Sequence, residues 1–228
     1  MTESEIFRVS FGRGLDVPVD SGPAFPGIAS HCPQGRWVDW TPTFPLEIGL
    51  NVRPRKVAGF VSAWTRLFGP ANLARETAER WDAILLGPVW VQREERHDHN
   101  VAGDDALVLR HGKEAPDLLE VWPTTVVPFD RQESAVQEMP RPCEICNIMV
   151  LAPVGFVAGS NERYDIMKSS GDMEFHLVIP RLPESSRIGL FRIAQLRNAL
   201  YCTDEFRRWV LSLDEPRGLR FIRAGYQR

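Results

Sequence analysis

The sequence predicts a strand-rich α+β fold, with mixed sheets and a few short helices. Three observations carry that expectation. Short apolar runs alternate with turn chemistry supplied by 18 prolines and 17 glycines, the punctuation of strands rather than of long helices. Period-two alternation of apolar and polar residues is present from the first segment. Three- and four-residue periodicity is confined to stretches of about three turns.

The elements follow in order. Residues 6–11 (IFRVSF) alternate and read as a half-buried strand. Residues 12–45 are rich in Gly and Pro and read as extended loop, because proline fixes φ and donates no ladder hydrogen bond. Phe25, Trp37, Trp40 and Phe44 are expected to pin that loop to the core. Residues 56–68 place Val57, Phe60, Val61, Trp64 and Phe68 at helical spacing, so a helix is expected there, stopped by Gly69-Pro70. A second helix is expected over 71–81.

From Ile84 to Phe129 the pattern returns to strands (ILLGPVWVQ, ALVLRH, LLEVWP, TTVVPF), with HDHNVAGDD and HGKEAPD as hairpin loops. Strands are also expected over 148–157, 175–179, 198–202 and 218–223. Thr203 is the expected N-cap of a helix over 204–213, since Asp204 and Glu205 then fall in its acidic-preferring first turn. Residues 1–228 are expected to form one domain. The polar segment 131–142 is the natural connector if the chain divides into lobes 1–130 and 143–228.

Composition narrows the function classes. At 43% hydrophobic and 25% charged, the chain reads as a globular protein. It carries no apolar run of the roughly 18–20 residues that a membrane span needs. Its start, MTESEIFRVSFGRG, has no secretory-signal pattern, so a cytoplasmic location without membrane contact is expected. The net charge of −3 is unevenly spread. Residues 181–228 carry ten arginines and five acids, +5, which leaves −8 on residues 1–180. Nucleic acid is disfavoured as a partner, because a basic domain would be expected for it.

Cys143-Glu144-Ile145-Cys146 is a CxxC, and His31-Cys32 offers the other sulfur with a local nitrogen. His31, Cys32, Cys143 and Cys146 together have the donor set of a Cys₃His zinc site. Adjacent residues such as His31 and Cys32 are poorly placed to chelate one ion together, so plain buried thiols are the preferred reading of the same residues. His97 and His99 lie in the charge run QREERHDHN and read as a solvated hairpin tip. None of the common nucleophile, zinc-protease or nucleotide-binding motifs occurs in its required setting, so a non-enzyme without a cofactor is expected. The alternative is a metal- or thiol-dependent enzyme built on Cys143 and Cys146.

In order along the chain, several segments resemble the double-CxxCG motif family, bacterial immunity proteins paired with polymorphic toxins. They are His31-Cys32-Pro33-Gln34-Gly35 with Trp37 and Phe44-Pro45-Leu46, then Phe68-Gly69-Pro70, and Leu118-Leu119-Glu120-Val121. Pro140-Arg141-Pro142-Cys143-Glu144-Ile145-Cys146 follows, with Leu190-Phe191-Arg192, Glu205-Phe206 and Gly218-Leu219-Arg220-Phe221 closing the series. The first knuckle reads C-P-Q-G, without a second cysteine, and Asn147 replaces the glycine after the second knuckle. A family four-cysteine site would therefore be incomplete, and little or no bound zinc is expected. The resemblance implies an antitoxin that neutralises a cognate protein toxin by stoichiometric binding. The acidic loop around Glu94, Glu95, Asp98, Asp104 and Asp105 is the expected contact, because charge complementarity speeds association.

Overall fold

A computed structural model describes residues 4–11, 45–49, 57–63, 66–92, 113–138, 151–163, 173–194, 196, 199–213 and 219–228. The strand-rich α+β expectation is met. Among the described residues there are two main sheets, two short strand pairs and two helices.

The six-stranded sheet is built around the N-terminal strand β1 (Ser4–Phe11). β1 lies antiparallel to β14 (Leu200–Thr203) on one side and to β15 (Leu219–Gln227) on the other. Helix α2 (Asp204–Leu211) joins β14 to β15, so the predicted strand–helix–strand is present, with β1 inserted between its two strands. Beyond β15 lies β12 (Leu177–Ile179), parallel to it. Beyond β14 come β13 (Leu190–Ile193) and then the two-residue β7 (Val126–Val127). β1 and β7 precede residue 130, so this sheet draws strands from both sides of the 131–142 segment.

The second sheet has the order β2 (Leu46–Gly49), β5 (Ile84–Gln92), β6 (Lys113–Pro123), β4 (Arg66–Pro70) and β3 (Val61–Ala63). Here the helix expected over 56–68 is corrected. β3 and β4 form an antiparallel pair, and β4 pairs with β6. Both faces of β4 are buried: Leu67 joins one hydrophobic cluster and Phe68 another. A strand covered on both faces loses its polar alternation, so apolar spacing alone cannot separate it from a helix. Trp64 lies outside the described residues.

The loop expected at HGKEAPD is corrected over its second part, since β6 begins at Lys113 and runs through Pro116. The proline is accommodated by an irregularity. The β5–β6 register slips between Pro88 and Trp90, and residues 115–118 take up the extra length. The strand expected over 175–179 is interrupted at His176. Met173–Phe175 (β11) pairs with β10 (Gly155–Val157), whereas Leu177–Ile179 pairs with β15. Likewise 148–157 contains β9 (Leu151–Pro153) and β10, parted at Val154, whose N–H donates to the Ala135 carbonyl at 2.9 Å.

Part of the expected connector is ordered against the six-stranded sheet. Val136–Glu138 (β8) pairs with β9. The Asp130 N–H donates to the Val178 carbonyl at 2.8 Å, and the Val178 N–H donates to Ser134 Oγ at 2.9 Å. These bonds occupy the outer edge of β12, which would otherwise present unpaired backbone groups. Residues 139–142 lie outside the described residues.

Helix α1 (Ala71–Arg80) appears where predicted, entered through Pro70 and buried along Ala71, Leu73, Ala74 and Thr77. Ala83 follows it with φ of 59°, a region costly for a residue with a Cβ. Its carbonyl accepts from Thr124 N–H at 2.8 Å and Thr124 Oγ1 at 3.0 Å, which ties the start of β5 to the end of β6.

Packing makes one body of these layers. Phe7 and Val9 of β1, Leu67 of β4, Val121 of β6, Leu73 of α1 and Phe206, Trp209 and Val210 of α2 share one buried cluster. Successive residues of β14 enter different clusters: Leu200 and Cys202 this one, Tyr201 the one on the opposite face with Phe191, Phe175 and Ile222. Each large side chain so buried contributes roughly 1.5–3 kcal/mol relative to exposure. The shared cluster is therefore what joins the sheets. Gly225, with φ of 145°, sits where an added Cβ would lie 1.9 Å from the Leu177 carbonyl oxygen. Close approach of β12 to β15 requires a glycine there.

Candidate functional site

The residues predicted to act lie outside the described part of the chain. These are His31, Cys32, Cys143 and Cys146 of the possible metal set, and Glu94, Glu95, Asp98, Asp104 and Asp105 of the acidic loop. His97, His99 and His111 lie outside it too. Of the cysteines, Cys202 is described, and it is a buried free thiol in β14. Burial pushes that thiol well above its ordinary value; Arg207 opposes the shift and Asp204 adds to it. A thiol held protonated in the core packs as a small apolar group. Among the described residues, no group of three His, Cys, Asp or Glu side chains is placed to hold a metal ion.

Two charged clusters do stand out, and sequence reasoning passed over both. The first joins the two sheets. Arg66, at the start of β4, grips Glu120 of β6 through Nε and Nη2, each meeting a different carboxylate oxygen. Both are nearly sealed from solvent, at 5% and 0% exposure. The forked guanidinium matches the planar carboxylate, a pairing worth more when water is excluded. Burial pushes the Glu120 carboxyl upward, and Arg66 and then Arg192 pull it back only in part.

Trp122 follows two residues later on the same face of β6. The Arg192 guanidinium of β13 lies 3.7 Å from its ring centroid, and that of Arg66 lies 5.7 Å away. Arg192 is drawn down to about 9, by burial first; Glu120 opposes that shift and Arg66 reinforces it. It therefore stays a cation at neutral pH. Stacking between a desolvated guanidinium and indole is worth about 2 kcal/mol, and here it bridges the two sheets. Two exposed apolar residues flank the stack. Leu85 is paired with Trp122 across β5 and β6, and Val126 is paired with Arg192 across β7 and β13.

The second cluster surrounds Glu174 of β11. Its Oε1 accepts from Gly159 N–H at 3.2 Å and lies 3.5 Å from His176 Nε2. Its Oε2 accepts from Arg223 Nη1 of β15 at 3.3 Å. Arg223 in turn pairs through Nε with Glu5 of β1 at 2.9 Å. The His176 ring stacks on Phe156 with centroids 4.5 Å apart and planes 18° from parallel. Burial alone would raise the Glu174 carboxyl, but the Gly159 amide, His176 and Arg223 outweigh it, and its pKa falls below the ordinary value. The arrangement fixes an anionic carboxylate beside a half-exposed imidazole. Its evident work is to fasten the β10–β11 hairpin to β15 and β1.

A signal for the first cluster was present in the sequence. Glu120 interrupts LLEVW and Arg192 interrupts LFRI, single charges inside runs otherwise fit for burial. A buried charge demands a partner. Which partner is a question of sheet order, since Arg66 and Glu120 are 54 residues apart.

Compared with protein-family models, curated proteins and solved structures, the chain matches none of them.

Proposed function

We propose that this protein is an immunity protein: it binds one cognate bacterial toxin stoichiometrically, inside the cell that makes both, and blocks it. One observation supports the reading most. Each described segment that carries the family resemblance contributes a residue to the core, beside β1, α1 and β14, which lie outside the resemblance. Phe68, Leu118, Phe191 and Phe206 are all buried to within 1% of completely. Glu120 and Arg192, from two of these segments, meet at the same ionic cluster. Gly69 of the Phe-Gly-Pro turn has a packing reason as well, because a Cβ there would come within 2.9 Å of the Phe60 ring. Segments scattered in sequence thus share one structural purpose, as expected of a family framework that carries a variable partner-binding surface.

The proposed contact is the acidic stretch containing Glu94, Glu95, Asp98, Asp104 and Asp105, which steers a basic face of the toxin. The neighbouring reading frame supplies the test. Its product should end in a domain that is toxic when expressed alone, harmless beside this chain, and recovered with it as a one-to-one complex. Reversing Glu94, Glu95, Asp104 and Asp105 to lysine should slow association at least tenfold at low salt, with the fold intact. A neighbouring domain that remains toxic in the presence of this chain would sink the proposal, and unchanged association would move the contact elsewhere.

A further inference from the structure

We draw no further inference here: the strongest candidate, the exposed apolar patch of Leu85 and Val126 flanking the Trp122–Arg192 stack where β6 meets β13, carries nothing because nothing in the structure shows what covers it.

Discussion

Glu120 is the residue whose loss the fold should feel most directly. Its carboxylate sits at 0% exposure against the Arg66 guanidinium, so removing it deprives a buried cation of its counter-charge. Breaking such a pair from one side costs about 3–5 kcal/mol, whereas replacing both partners by apolar groups costs far less. Glu120→Ala should therefore lower the urea midpoint sharply, and Arg66→Met with Glu120→Leu should recover most of the loss. Equal destabilisation by the single and double variants would show that the pair is not coupled. Glu174 makes the matching prediction for pH. Its folded pKa is depressed, so its contribution is fully present above the usual value of 4.5 and is lost as pH falls through the lower folded value. Thermal unfolding of Glu174→Gln should accordingly be flatter than the parent over that acid range, with the gap between the two closing as pH drops. Parallel curves would mean that the carboxylate makes no net contribution.

Helix α2 shows how an element is specified by its ends. Thr203 has extended backbone geometry and its Oγ1 accepts from Phe206 N–H at 3.3 Å, while Asp204 and Glu205 occupy the positive first turn. The cap and the acids were legible without coordinates, because capping depends on a few adjacent residues. Thr203→Ala should cost about 1 kcal/mol, and Thr203→Ser should cost little, both read from denaturant unfolding. An unaffected alanine variant would show that packing of Phe206, Trp209 and Val210 alone holds the helix. The 56–68 segment teaches the opposite lesson. Its apolar spacing fits a helix, yet β3 and β4 form because β6 offers β4 a hydrogen-bonding edge and covers are available on both faces.

On the scale of the whole molecule, the chain's first strand is locked in by its last. β1 fills the gap between β14 and β15, which without it would stand about 10 Å apart, two strand spacings. Ile6 and Phe7 feed the clusters on opposite faces of that sheet. A chain beginning at residue 12 should therefore show no cooperative thermal transition where the full chain melts in one step. A truncated protein that still melts sharply, within a few degrees of the parent, would place the cooperative unit elsewhere. Pairing Ser4 with Gln227 also makes the contact order high, so refolding should be slow for a domain of this size.

What the sequence determined by itself was local: the class of fold, α1 behind Gly69-Pro70, α2 behind Thr203, and most strands by their apolar runs. Each depends on residues within a few positions of one another, where propensity, capping and turn chemistry act. Only the tertiary structure decided what those elements do together. It set β1 between β14 and β15, made strands of 61–63 and 66–70, carried β6 through Pro116, and brought Arg66, Glu120, Trp122 and Arg192 to one place from three strands. The physical reason is that strand pairing and burial are satisfied by partners far along the chain. A buried charge announces in sequence that it needs a partner, and the order of the sheet determines which one it receives.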